Sequence, residues 1–190
     1  MTPVLAVIIL WIGFAVSWAA AAPWSSAVEK RVGLGREVAY RIVLIVGGLI
    51  FLIPAHGYEG PLRLWYLPYR AVWPTAGLIA IGFAFSWWAR IGLGSLWSGQ
   101  VTKKADHRVV DTGPYAIVRH PIYAGILLAV FATAALKGTV LGLAGAAVIT
   151  TGLWMKARLE EGFLREELGP GYDAYRKRTP MLMPLGPRGA

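Results

Sequence analysis

The sequence predicts an all-α, polytopic membrane protein with about five membrane-crossing helices, the last two forming a helical hairpin, and a cytoplasmic C-terminal region. Three observations predict it. Of 190 residues, 56% are hydrophobic, only 15% are charged and nine are tryptophan, far from the roughly 25% charged content of an ordinary soluble domain. The apolar residues gather in five stretches, approximately Val4–Ala22, Val38–Ala55, Val72–Trp88, Ile122–Leu136 and Thr139–Met155. A bilayer core about 30 Å thick asks for roughly 20 helical residues, with about 17 as a minimum. Finally, all but three of the lysines and arginines fall on one side of the layout that these stretches define.

The first stretch has no basic residue before it, and Ala19–Ala22 supplies small residues that would suit signal cleavage. Without a basic leading region it reads as a membrane helix that starts outside. The second and third stretches carry Gly47-Gly48, Gly77 and Gly82, which suit close helix packing in lipid. Trp65, Tyr66, Tyr69, Trp73, Trp87 and Trp88 lie near helix ends, where aromatic belts form. Residues 1–91 are thus expected to be scaffold and substrate groove, with 92–190 as a second functional region. Gly92 to Val118 is a polar loop, and loops beyond about 15 residues are usually functional or disordered. Trp97, Val101, Val109-Val110 and Thr112-Gly113-Pro114 punctuate it and argue for order.

The fourth helix is expected to begin at Pro121, whose missing N–H costs nothing in a first turn. Only Lys137-Gly138 separates it from the fifth, so the two form a tight hairpin; a buried soluble hairpin is the alternative. The fifth continues beyond the apolar stretch through Lys156, Arg158, Glu160 and Glu161 to about Leu168, where Gly169-Pro170-Gly171 stops it. An amphipathic piece, Tyr172–Arg176, follows, and Pro180 and Pro184 close the chain. No strands are expected.

Arg63, Arg70 and Lys137 are the three basic residues on the minority side. The positive-inside rule places the N-terminus outside, and the third loop and C-terminal segment in the cytoplasm. The cytoplasmic membrane is the expected location. The formal charge of +9 then meets anionic membrane lipids. Nucleic acid is not an expected partner, since no separate basic domain exists. The absence of cysteine excludes disulfides, thiolate metal sites and a cysteine nucleophile. His56, His107 and His120 have no metal-ligand spacing. With no strand leading into a GxGxxG, a Rossmann cofactor site is unsupported.

Two constellations remain. Gly113-Pro114-Tyr115 running into Arg119-His120-Pro121-Ile122-Tyr123 puts a cation, an imidazole and two phenols at the edge of an apolar helix. Polar residues so placed are costly unless they bind something. Lys156, Arg158, Glu160 and Glu161 form the other. The hairpin brings the start of one helix beside the end of the other, and so His120 and Tyr123 beside Glu160. The bland alternatives are an Arg119 that snorkels to lipid phosphates, and ordinary i,i+4 pairs joining Glu161 to Arg165 and Lys156 to Glu160.

Residues 92–187 resemble the C-terminal half of the isoprenylcysteine carboxyl methyltransferase and phospholipid methyltransferase group of membrane enzymes. The resemblance rests on Gly113-Pro114-Tyr115-x-x-x-Arg119-His120-Pro121-x-Tyr123, then Glu160-Glu161-x-x-Leu164, Gly169-x-x-Tyr172-x-x-Tyr175 and the prolines at 180 and 184. It implies a methyltransferase with S-adenosylmethionine as donor, S-adenosylhomocysteine as product and a lipophilic acceptor. It further implies that Gln100 and His107, Arg108, Val109 and Val110 wrap the cofactor. Tyr115, His120, Pro121, Ile122, Tyr123 and Glu160 would contact it, with Arg119 and Glu161 in the same set. Glu160 is also expected among the catalytic residues. A basic residue one turn before the glutamates is associated with substrate. It falls on Lys156, where an arginine is usual, or passes to Arg158. Two other readings stand beside this one: a membrane sterol-type reductase using NADPH, which would ordinarily be longer, and a non-catalytic scaffold for lipid or protein partners.

Overall fold

The computed structural model of the protein describes residues 2–24, 28–31, 34–53, 59–97, 102–104 and 109–185. Each apolar stretch contains one long helix: α1 (Pro3–Ala20), α2 (Leu34–Leu52), α3 (Tyr69–Leu93), α4 (Pro121–Lys137) and α5 (Val140–Leu168). A short α6 (Pro170–Arg178) follows. The break at Gly169 falls where expected: its φ of +57° is left-handed backbone that glycine adopts without strain, and Pro170 opens the next helix. The expectation of no strands is corrected. A ribbon pairs β1 (Val28–Arg31) antiparallel with β2 (Thr102–Lys104). Two loops run side by side here, and their backbone groups satisfy one another. Pairing this short leaves no alternation to read in sequence.

α4 packs chiefly against α3, and α5 chiefly against α2; α1 covers α3, and the hairpin joins the two pairs. Small residues set both seams. A Cβ on Gly125 would stand 2.3 Å from the Gly82 carbonyl, and one on Gly82 would stand 2.5 Å from the Gly125 carbonyl. Between them the Ser86 hydroxyl donates to the Ile122 carbonyl at 3.1 Å. On the other seam, Gly145 meets the Phe51 backbone and Gly152 meets Leu44 just as closely. Of the four glycines expected in packing, Gly47 and Gly82 are in seams, whereas Gly48 and Gly77 face open space. Such contact is the main source of helix association in lipid, where water gives no hydrophobic drive.

Trp11 knits the middle. Its indole N–H donates to Thr133 Oγ1 at 3.1 Å, and its ring meets Phe83 edge-on at 4.9 Å and Phe51 at 6.3 Å. The α4–α5 turn is strapped by the segment before α3. Leu64 N–H donates to the Gly138 carbonyl at 2.8 Å, Arg63 to the Lys137 carbonyl at 2.6 Å and the Trp65 indole to the Ala135 carbonyl at 2.8 Å. Lys137 reaches the Phe51 and Ile53 carbonyls at the end of α2, where a cation suits the helix dipole.

Tyr69–Leu96 and Val140–Leu168 are long and apolar enough to cross a membrane; α1 and α4 are apolar but shorter. Arg36, Glu37 and Arg41 near its start separate α2 from that set. The outer faces carry exposed Ile8, Ile12 and Val16 on α1, Ile42, Ile45 and Leu49 on α2, and Ile81 and Ile91 on α3. An apolar surface on this scale marks contact with lipid rather than water.

Candidate active site

At the end of the bundle opposite the α4–α5 turn, a cavity of about 390 Å³ opens between α1, α2, the end of α3, α4, α5 and α6. Its upper walls are Trp97, Val109, Val110, Tyr115, Tyr172 and Tyr175, and its lower walls are Trp18, Leu44, Ile126 and Leu153. Between the two levels sit Tyr123, His120, Lys156 and Glu160. It is a mostly apolar space with a few convergent polar groups, the usual makeup of a ligand site.

Glu160 is the hub. Tyr123 donates its phenol proton to Oε1 at 2.6 Å, and His120 Nδ1 lies 3.4 Å from Oε2. Lys156, one turn earlier, places Nζ 3.9 Å from Oε1. That ammonium also lies 5.5 Å from the Tyr123 ring centre and 5.8 Å from the Tyr40 ring centre, so two aromatic faces hold it. His120 and Tyr123 stack in parallel, 5.5 Å apart. His120, Tyr123 and Glu160 are thus the neighbours that a hairpin implies, with Lys156–Glu160 also present as the i,i+4 pair.

Glu161 lies behind this layer, 3% exposed. Arg119 donates to its Oε1 at 2.6 Å, His120 Nε2 stands 3.3 Å from the same oxygen and Arg176 Nε 3.5 Å from the other. Arg165 pairs instead with Asp173 at 2.9 Å. Both bland alternatives for this group therefore fail: Arg119 turns inward, and Glu161 does not pair along its own helix. Arg119 also donates to the carbonyls of Arg176 and Thr179. The backbone N–H groups of Arg119 and His120 donate to the Pro180 and Met181 carbonyls at 2.8 and 3.0 Å. The residues after α6 thereby fold back as a strap behind the site, and Tyr175 donates to the Tyr115 carbonyl at 2.7 Å.

Burial works against a charge on His120, but hydrogen bonds and charge from Glu160 and Glu161 outweigh it and raise its pKa above the usual imidazole value. Burial, with Glu160 nearby, pushes the Tyr115 phenol well above its ordinary value, and burial raises Tyr172 and Tyr175 too. The phenols stay neutral donors.

Of the residues singled out by sequence, Val109, Val110, Tyr115, Arg119, His120, Pro121, Ile122, Tyr123, Lys156 and Glu160 line one cavity, with Glu161 directly behind. Arg158 is not brought in: its guanidinium lies over the Trp154 ring at 5.7 Å. Gln100, His107 and Arg108 lie outside the described residues. Sequence reasoning missed Trp97, Tyr40 and Arg90. Arg90, 1% exposed, donates to the Gly94 and Ala21 carbonyls at 2.7 and 3.0 Å and holds the Trp97 ring 4.2 Å away. An arginine two residues beyond the apolar stretch Val72–Trp88 was the available signal for that role.

Residues 75–166 match the isoprenylcysteine carboxyl methyltransferase (ICMT) family model. The chain is 32% identical over 117 residues to the protein-S-isoprenylcysteine O-methyltransferase of Schizosaccharomyces pombe, covering 58% of this chain and 48% of that protein. It is 43% identical over 72 residues to methanethiol S-methyltransferase 2 of Bradyrhizobium diazoefficiens, covering 37% and 26%. With the nickel-cobalt-cadmium resistance protein NccN of Alcaligenes xylosoxydans it shares 26% identity over 168 residues, or 87% and 70%. The chain thus spans about half or less of the two methyltransferases it matches. The matched region contains α4 and the hub on α5, and over it the chain is similar to the isoprenylcysteine carboxyl methyltransferase family.

Proposed function

We propose that the protein is an integral membrane methyltransferase that uses S-adenosylmethionine to methylate a lipophilic acceptor. In this reading α1–α5 cross the cytoplasmic membrane, the cavity opens at the cytoplasmic face, residues 1–91 serve as scaffold and substrate groove, and 92–190 carry the chemistry. The observation that carries the proposal is the buried Glu160 carboxylate, held by Tyr123 at 2.6 Å on the wall of an aromatic cavity. The donor set fits the cofactor: a carboxylate for a cation, and aromatic faces at Trp97, Tyr115 and Tyr172 for a purine.

Held by Glu160 and the aromatic walls, S-adenosylmethionine would supply a sulfonium methyl group to a lone pair on the acceptor, the electrons of the broken carbon–sulfur bond returning to sulfur. The protein contributes position: reaction within a fixed near-attack geometry can account for most of the acceleration. Glu160 orients the cation, and Tyr123 and His120 fix the carboxylate. Because stabilising the ground state alone does not raise the rate, Glu160 must act by orientation. The carboxylates of Glu160 and Glu161 on either side of His120 favour its charged form and weaken it as a base, which suits an acceptor that arrives with its lone pair free, as a carboxylate or thiolate. Lys156 faces the same space and attracts that anion; Arg158 does not reach it. Membrane lipid surrounds the site, and no nucleic acid is involved.

The test is calorimetry with S-adenosylhomocysteine and, separately, NADPH. Wild type should bind the first and not the second, and Glu160→Gln should weaken binding of S-adenosylmethionine, whose sulfonium carries the charge, about 10- to 150-fold, as expected for a lost charged contact of about 1.5–3 kcal/mol. Wild-type affinity for NADPH alone would overturn the assignment.

A further inference from the structure

Resting on that reading, we infer that the acceptor is compact: the cavity below Glu160 is a short blind slot that admits a small apolar group and excludes a long chain. Along α5 the lowest lining residue, Leu153, lies seven residues before Glu160, or about 10 Å at 1.5 Å per residue. At that depth the walls are Trp18, Leu44, Ile126 and Leu153, one from each of four helices.

Packed core closes the space beneath them. Ile126 rests on the cluster of Phe51, Val130, Ala134 and Ala146, and Trp11 packs into the same cluster. Seven residues from each wall residue, two turns further on, lie Trp11, Phe51, Thr133 and Ala146. The hydrogen bond from Trp11 to Thr133 and the rings of Trp11 and Phe51 tie α1, α2 and α4 together at that level. Two neighbouring seams are tight as well: Leu44 is pressed onto Gly152, and Gly82 onto Gly125, so neither the α2–α5 seam nor the α3–α4 seam has room for a chain. The whole cavity, about 390 Å³, is near the lower end of the roughly 300–1,000 Å³ range of small-molecule pockets. Once a donor fills its upper part, only the slot remains.

The experiment offers purified protein a labelled methyl donor and two acceptor series, n-alkanethiols and N-acetyl-S-alkylcysteines, with ethyl, butyl, octyl, dodecyl and farnesyl chains. Wild type should methylate the short members and lose kcat/KM steeply once the chain outgrows the slot, by about tenfold or more per further methylene at the limit. Ile126→Ala should move the cut-off to longer chains and Ile126→Phe to shorter ones; Leu44→Ala serves if Ile126→Ala does not fold. Binding of S-adenosylhomocysteine is measured on every variant to show that the site is formed. Equal transfer to dodecyl, farnesyl and butyl acceptors overturns the inference. So does a cut-off that the substitutions leave in place, or no transfer to any member by protein that binds S-adenosylhomocysteine. Failure to bind that ligand overturns the methyltransferase reading instead.

Discussion

Arg119→Met tests whether the second glutamate and its cation hold the site together. The guanidinium is 9% exposed and the Glu161 carboxylate 4%, with 2.6 Å between them. Removing one partner of such a buried pair strands the other charge, at a cost of about 3–5 kcal/mol. His120 and Arg176 also face Glu161, which puts the expected loss at the lower end of that range. Arg119 additionally satisfies two carbonyls of the strap, at Arg176 and Thr179, which moves it back up. At roughly 2–4 °C per kcal/mol for a chain of this size, the melting temperature should fall by about 6–20 °C. The assay is thermal unfolding in detergent followed by tryptophan fluorescence, for wild type, Arg119→Met, Glu161→Gln and the double variant. The double variant should lose less than the sum of the singles, by about 0.5–3 kcal/mol. Losses that add within about 0.5 kcal/mol would show that the two residues act independently and refute the reasoning.

Tyr123→Phe removes the 2.6 Å hydrogen bond to Glu160 and keeps the ring; the fold should lose about 1.5–3 kcal/mol, as for a lost bond to a charged group, with thermal unfolding as the check. Gly125→Val forces side-chain atoms onto the Gly82 carbonyl, 2.3 Å from where a Cβ would sit. Overpacking of this kind costs about 1–3 kcal/mol or more, so a lowered melting temperature is expected, and an unchanged one would contradict the seam. The raised pKa of His120 means that its charged form stabilises the fold. That contribution is complete below the ordinary imidazole pKa of about 6.5 and is lost as pH rises through the higher folded value. Wild type and His120→Asn should therefore differ most in melting temperature at acidic pH and converge at alkaline pH.

Much of this was legible in the sequence because it depends on local chemistry. Pro121, Lys137-Gly138 and Gly169-Pro170 delimit α4 and α5 to within a residue or two, since proline and glycine act on backbone angles directly. Once the hairpin was drawn, the meeting of His120, Tyr123 and Glu160 followed from helix geometry. What stayed hidden depends on contacts between distant segments. Nothing local shows that α5 packs on α2 rather than mainly on its hairpin partner, because the glycines at 47, 145 and 152 look like any small residues in an apolar run. Nor does a run such as Thr179-Pro180-Met181 reveal that its carbonyls accept from Arg119 and the backbone of His120. Arg158 lies away from the cavity for a simpler reason: two residues from Lys156 is about 200° around a helix, which is the other face.

The clamp on the α4–α5 turn has a mechanical consequence. Leu64, Arg63 and Trp65 fasten the closed end of the hairpin to the body, and Lys137 fastens it to the end of α2. Two long levers anchored at one tip can swing only at the other, and the arc widens with distance from the pivot. Any opening of the pair is therefore greatest at the cavity end, where molecules must come and go, and smaller at the level of Leu153, closer to the pivot.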